Sequence, residues 1–294
     1  MSIKHELQRC LYTILKHNRD GSFATQEARR KLLMKAASDL SAGHYKLRHI
    51  NGLKQKHIRY LNELWKTQGK GAATIKNRNS HLRWLCQKID KRNIVPSNDE
   101  LGIGKRQYSH NNPTAVELSD IDFNKVTNRN ILVQIHLQRH FGLRREESCK
   151  IKPHLADKGD HLDLKSSWCK GGRARTVPIL TAEARYWLEE AKKLVSRPEH
   201  SMIPPDKTYE QHKELYDNQL KRAGTTDKHP HGLRHAYAQE RYEKLTGWKC
   251  PKQGGPISKE LTAEQKQQDR IARLEISEHL GHSRESVTVI YLGR

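Results

Sequence analysis

The sequence predicts a mainly α protein with a small β-sheet: a helical N-terminal domain followed by a mixed α+β domain. Three observations carry this. Apolar residues recur at helical spacing in four successive segments of the first third of the chain. Two short alternating segments, from His161 to Lys165 and from Arg175 to Ile179, flank a Gly171-Gly172 turn and read as paired strands. Between these two regions, residues 96–115 combine Pro96-Ser97-Asn98-Asp99, Gly102 and Asn111-Asn112-Pro113 with little apolar periodicity, as a linker would.

The first helix is expected around Leu7, Leu11, Ile14 and Leu15, ending before Gly21. The second, from Thr25 to Leu40, carries Ala28, Leu32, Ala36 and Leu40 on one stripe. A third runs from His57 to Trp65, and a fourth from Thr74 to Ile89 with Ile75, Leu82, Leu85 and Ile89 inward and Thr74 as N-cap. These four make a domain over residues 1–95. The second domain, 116–294, is expected to begin with a helix from Asn128 to Arg139. The two strands follow, then helices from Thr181 to Val195 and from Tyr209 to Ala223, the last stopped by Gly224. Residues 247–268, with Gly254-Gly255-Pro256 and a polar run, are expected to form an inserted surface segment.

Composition narrows the partner. Of 294 residues, 55 are Lys or Arg and 33 Asp or Glu, a net charge of +22, and the pI is about 9.8. So large an excess points to a polyanion, of which nucleic acid is the commonest. Arg29, Arg30, Lys76, Arg78 and Arg83 are expected on the outer faces of the N-terminal helices, with Arg173 and Arg175 in the hairpin, as phosphate-contacting residues. Five scattered cysteines with no C-x-x-C pair indicate neither a disulfide framework nor a cysteine zinc site, and a cytoplasmic protein is expected. No apolar run is long enough to span a bilayer, so no membrane is expected as a partner.

Four separated segments carry the chemistry. They are Gly142-Leu143-Arg144-Arg145-Glu146-Glu147, Lys170 within Trp168-Cys169-Lys170-Gly171-Gly172-Arg173-Ala174-Arg175-Thr176-Val177-Pro178, His231-Gly232-Leu233-Arg234-His235, and Leu280-Gly281-His282 leading to Tyr291. Phenol is a poor nucleophile near neutral pH because its pKa is about 10. It needs nearby positive charge and a proton acceptor, which these segments contain. Two guanidiniums can hold the nonbridging oxygens of a phosphodiester as charge builds on them. A single His carries little weight in a chain with 18 of them. His229, His231 and His235 could form a metal cluster, but they lack acidic or cysteine partners at suitable spacing, so no metal is expected.

In this order, the segments resemble those of the tyrosine recombinases, the phage-integrase family. The match covers the second domain closely and the first only in general character. The resemblance implies that Arg144 is the first catalytic arginine, in preference to its neighbour Arg145, with Glu147 supporting it. Arg234 is then the second arginine, and His231 and His282 fill the two histidine positions, either of them able to contact a nonbridging oxygen or take the phenol proton. His235 has a supporting place. Lys170 is the general acid for the departing 5′-oxygen, with Lys165 a weaker candidate, and Tyr291 is the nucleophile. The resemblance further implies a helical core-DNA-binding domain and a tyrosine-recombinase catalytic domain forming a C-clamp around double-stranded DNA.

It implies a site-specific recombinase working through a 3′-phosphotyrosine intermediate, for integration or excision of a mobile element. It needs no cofactor, acts as a homo-tetramer on two sites with accessory DNA-bending proteins as candidate partners, and sits at the nucleoid. Relatives often carry a further helix after the tyrosine. Here Leu292-Gly293-Arg294 follows Tyr291, so either the tyrosine segment itself reaches across to a neighbouring protomer or the contacts are expected from elsewhere, and no separate arm-binding domain is expected before the first helix. The rival readings are a type IB topoisomerase-like relaxing enzyme, a catalytically silent DNA-binding regulator and a metal-dependent nuclease. The last is disfavoured because no carboxylate cluster stands out.

Overall fold

The computed structural model describes residues 3–106, 114–225 and 231–294, and the chain divides into two compact units, Met1–Gln107 and Tyr108–Arg294. Among the described residues, no helix is long and apolar enough to cross a membrane.

The first unit is built from α1 (Ile3–His17), α2 (Phe23–Ala42), α3 (Gln55–Thr67) and α4 (Ala72–Lys88). Their apolar stripes meet in one core that includes Leu7, Leu11, Leu33, Leu40, Ile58, Leu61, Trp65, Ile75, Leu82 and Leu85. Inside it, the Asn62 and Asn79 side chains donate to each other's carbonyl oxygens at 3.1 and 2.9 Å, so a buried polar pair between α3 and α4 stays satisfied.

Three expectations are corrected here. The fourth helix starts two residues early, capped by Gly71 and not by Thr74. Ala28 is exposed, and Arg29 takes the inward position on α2. The Arg29 guanidinium lies 3.8 Å over the Trp84 ring and donates to the Asp20 carbonyl at 3.1 Å; at 5 % exposure it is no surface cation. A stem that long, with a flat weakly hydrated head, fills an aromatic gap that alanine would leave open. The linker also shortens, because Val95, Leu101 and Ile103 are buried in the same core and Arg106 donates to the Asn77 side chain at 2.8 Å. The rest of that stretch, residues 107–113, lies outside the described residues.

The second unit begins its regular structure with α5 (Arg129–Phe141), whose N-cap Asn128 accepts from the Ile131 amide at 3.1 Å. Ile131, Val133, Ile135, Leu137 and Phe141 are all buried, so α5 is covered on several sides. Val133, Leu137 and Phe141 join a core with the hairpin, while Ile131 and Ile135 join a second with Tyr216 and Leu233. Two short helices follow, α6 (Arg145–Lys150) and α7 (Pro153–Ala156), then β1 (His161–Leu164) and β2 (Arg175–Pro178). The strands pair antiparallel with Leu162 opposite Val177. The connection between them makes two 3₁₀ turns, and Gly171 and Gly172 take φ of 77° and 68°, which glycine tolerates without a Cβ penalty.

The unit is completed by α8 (Ala182–Leu194), α9 (Tyr209–Arg222), α10 (Gly232–Thr246), α11 (Ala263–His279) and α12 (Val289–Leu292). Thr181, Thr208 and Thr262 cap α8, α9 and α11 through their hydroxyls. The stretch 247–268 is mostly exposed and is anchored to the rest of the unit at a few points. Its last residues form the start of α11, Cys250 is fully buried, and the Lys252 ammonium donates to the Ile290 carbonyl at 2.6 Å.

Gly142 sets the geometry at the end of α5. Its φ is +58°, and a Cβ there would meet Tyr237 Cδ1 at 2.5 Å and Leu280 Cδ2 at 2.9 Å. Gly142→Ala is therefore expected to lower unfolding stability by roughly 1–3 kcal/mol, from left-handed strain plus overpacking. Urea denaturation of the variant against the parent chain measures it; an unchanged midpoint would contradict the close approach.

Candidate active site

Glu147 is the electrostatic centre of the site. Its side chain has no exposure, and it sits in the first turn of α6, where its carboxylate accepts from the Arg144 amide at 2.7 Å. The same carboxylate accepts from Arg144 Nη1 at 2.6 Å and from Arg175 Nη1 and Nη2 at 2.9 and 2.6 Å, with Arg234 Nη1 3.9 Å away. Burial alone would raise the Glu147 pKa. The hydrogen bonds and charge of Arg175, then Arg144 and Arg234, outweigh it and pull the pKa to about 2. One carboxylate thus gathers three guanidiniums from three segments of the chain.

This corrects the expectation for Arg175. Its side chain is buried, its fork is filled by Glu147, and its Nε donates to the His279 carbonyl at 2.7 Å. A guanidinium so engaged has no edge to offer a backbone phosphate. Arg173, two residues earlier, is exposed and lines the cleft described below.

Arg234 is carried by the first turn of α10 and is fully buried. It donates to the Gly142 and Leu280 carbonyls, and its Nε lies 3.3 Å from the Tyr291 hydroxyl. Arg144 Nη2 donates to the same Leu280 carbonyl at 3.1 Å, so the two arginines converge on one oxygen. Burial lowers the Arg234 pKa to about 10, against the opposing pull of Tyr291 and Glu147; it remains a cation at neutral pH.

Tyr291 stands on α12 at 3 % exposure. Its hydroxyl lies 3.3 Å from His231 Nε2, 3.3 Å from His282 Nε2 and 3.3 Å from Arg234 Nε. Burial, then the charge of Arg234, Arg144 and Arg175, holds the His282 pKa at about 4, so its imidazole is neutral at pH 7 and can accept a proton. His235 packs its ring 4.6 Å from the Tyr291 ring and shares a hydrogen bond with the Thr114 hydroxyl at 3.0 Å. Burial keeps it neutral, with a pKa of about 3.

The structure therefore brings Arg144, Glu147, His231, Arg234, His235, His282 and Tyr291 together. The Lys170 backbone lies in the hairpin turn, but its side chain is outside the described residues, as is His229. In the other unit, Arg30 is exposed and paired with Glu27, Arg78 lies 4.9 Å over the Trp65 ring, Arg83 donates to the Pro96 carbonyl, and Lys76 is half-buried.

Sequence reasoning missed the residues that hold α12 in place. Gln239 donates to the Tyr291 carbonyl at 3.0 Å, Lys252 to the Ile290 carbonyl, and Arg273 to the Gly293 carbonyl at 3.0 Å. Nothing in the sequence marks them, since each acts on backbone oxygens of a distant segment.

In front of the hydroxyl lies an open cleft of about 650 Å³. Arg144, Arg145, Arg173 and Arg284 line it with Glu146, His231, His282 and Tyr291, so cations outnumber carboxylates. Arg145 is partly offset by its ion pair with Asp217. A cleft of this sign, holding a phenol beside two imidazoles and a buried guanidinium, suits attack on an anionic ester.

Comparison with known proteins points the same way. Residues 105–240 match the family model described as integrase, and residues 5–95 match that of the phage integrase N-terminal domain. The fold is similar to that of the Tn1549 transposon integrase in complex with circular intermediate DNA: TM-score 0.58 at 14% identity, covering 100% of this chain and 96% of that one. A second similar structure is the XerH site-specific recombinase bound to palindromic difH substrate: TM-score 0.54 at 19% identity, covering 96% of this chain and 79% of that one. No curated protein matches the chain. The matched family spans end before His282 and Tyr291, so the case for those two residues rests on geometry.

Proposed function

Because this chain belongs to the phage-integrase family of tyrosine recombinases, site-specific DNA strand-transferases, we propose that it cuts and rejoins double-stranded DNA with Tyr291 as the nucleophile. The observation that carries this is the Tyr291 hydroxyl held 3.3 Å from His231, His282 and Arg234 at the wall of a cationic cleft.

The phenolic oxygen attacks the phosphorus, forming the phosphotyrosine bond as the bond to the 5′-oxygen breaks. The phenol proton passes to His231 or His282, both within reach of it. Charge on the nonbridging oxygens is met by Arg144 and by whichever histidine does not take the proton, with the buried Arg234 cation acting from behind the Tyr291 hydroxyl. A proton for the departing 5′-oxygen comes from Lys170, a role that suits a flexible ammonium. Attack by a 5′-hydroxyl reverses each step, and the phosphotyrosine keeps the energy of the broken ester, so no cofactor enters. Glu147 touches no reacting atom in this scheme; it positions Arg144 and Arg234.

The biological role we propose is integration or excision of a mobile element, with the N-terminal unit as the core-binding domain and four protomers acting on two sites. A nicked suicide duplex carrying the junction sequence that flanks the coding region tests the chemistry. A covalent protein–DNA adduct that survives denaturant is expected. Equal cleavage of site-free supercoiled plasmid would turn the reading to a relaxing enzyme, and loss of cleavage with chelator would turn it to a nuclease.

The net charge of +22 sets a further expectation. Affinity for duplex DNA should fall with salt at a log–log slope of about −0.9 per phosphate neutralised. Fluorescence anisotropy across a salt series measures this, and a flat response would contradict phosphate tracking.

A further inference from the structure

We propose a second site in the catalytic unit, for zinc or a similar borderline divalent cation, held by His136, His140 and Glu183. His136 and His140 are four residues apart on α5, so both imidazoles stand on one face of the helix. Glu183 belongs to the first turn of α8, which packs against α5. One ligand atom from each of the three residues lies within 4.8 Å of the other two, and His140 Nε2 is 3.5 Å from the Glu183 carboxylate. None of the three lines the Tyr291 cleft.

An independent observation points to a ligand. His136 is 7 % exposed, yet its Nδ1 is buried with no hydrogen-bond partner, and the buried Nε2 of His140 makes no hydrogen bond, with the Glu183 carboxylate 3.5 Å away. A buried polar nitrogen without a hydrogen bond is destabilising, so a cluster that holds two of them and a carboxylate favours an occupant.

The ring of His136 is also held in place. It stacks on Trp187 at 3.5 Å between centroids and 8° between planes, with Phe123 at 5.3 Å. Cations facing the site are already offset: Arg139 pairs with Glu117 and Glu240, Lys244 with Glu240, and Arg129 with Glu190. Two imidazoles and a carboxylate with an open fourth position form a donor set that zinc accepts. Bonds of about 2.0–2.1 Å in a tetrahedron need donors roughly 3.3 Å apart. The His140–Glu183 pair is near that spacing. The Glu183 side chain, 61% exposed, is free to swing towards His136.

The cation would clip the last turns of α5 to the start of α8. Two residues beyond His140, the Gly142 carbonyl accepts from Arg234, so the clip would brace the backbone beneath the catalytic arginines without joining the chemistry. His140 and Glu183 make a ligand pair that a sequence search for metal motifs around His229, His231 and His235 passes over.

The test titrates ZnCl₂ into metal-free full-length protein, with bound zinc read by equilibrium dialysis and elemental analysis. The parent chain is compared with Glu183→Gln, an exposed position, and with His140→Gln. His136 is left intact because its stacked ring supports the fold. We expect one more tight zinc per parent chain than in either variant, with affinity weakened at least about tenfold in each. Saturating zinc should raise the parent Tm by roughly 2 °C or more and leave the variants unmoved. Cobalt(II) should give four-coordinate visible absorption in the parent alone. Wild-type zinc affinity in either variant, or no zinc bound by the parent at micromolar concentration, overturns the site. No readout depends on DNA cleavage, so failure here is separable from failure of the recombinase reading.

Discussion

Tyr291→Phe is expected to abolish covalent trapping of DNA, lowering strand cleavage by roughly 10⁴-fold or more, as loss of a nucleophile does. The variant removes one oxygen and keeps the ring that packs against His235 and in the core with Tyr237 and Ile276. The hydroxyl's three polar neighbours are each 3.3 Å away, a long separation for a strong hydrogen bond. Folding stability should therefore change by no more than about 1 kcal/mol, and DNA binding should persist. Gel-shift affinity, Tm and adduct yield on a suicide duplex, measured on one preparation, separate the three effects. Adduct formation by the Phe variant at the parent rate would assign the nucleophile to another residue and remove the basis of the mechanism.

Glu147→Gln should produce the largest loss of stability. Glutamine keeps the volume but takes away the charge that Arg144, Arg175 and Arg234 surround. Removing one partner from a buried ionic cluster costs about 3–5 kcal/mol, because the remaining charges stay buried and unpaired. For a unit of this size that corresponds to a Tm lower by roughly 10 °C. The pH profile gives a second readout. The Glu147 pKa is lowered on folding from 4.5 to about 2. A lowered carboxyl pKa contributes stability that is fully present above pH 4.5 and is lost as pH falls towards 2. The contribution is on the order of 3 kcal/mol. The parent chain should lose stability across that window more steeply than the Gln variant, as read by urea midpoints at each pH. Parallel profiles would mean that the ion cluster does not hold the site together. Cleavage should fall as well, since Arg144 loses the partner that orients its guanidinium.

Much of the helical framework was legible from periodicity. The stripes of α3 and α8, the helix starts near Asn128 and Thr181 and the alternation of the two strands all act locally, between residues a few positions apart. The helix start at Thr74 was misplaced because Gly71 supplies an extended backbone entry that needs no side chain. The anchoring of segment 247–268 is not legible along the chain, because the Lys252 ammonium bonds the Ile290 carbonyl in α12, 38 positions away.

The sequence by itself determined the inventory: a basic chain, helical apart from one hairpin, with arginines, histidines and a tyrosine in an order that matches one family. It did so because helical stripes, strand alternation and family motifs are set by neighbours along the chain. Only the tertiary structure decided which cations face the cleft and which hold the protein together. Arg173 and Arg175 are two residues apart and chemically identical, yet one lines the cleft and the other is locked onto Glu147. Arg29 likewise lies on Trp84 and not in solvent. The charge of a guanidinium is fixed by its chemistry, but its role follows from which carboxylate, carbonyl or ring the fold brings to it from a distant segment.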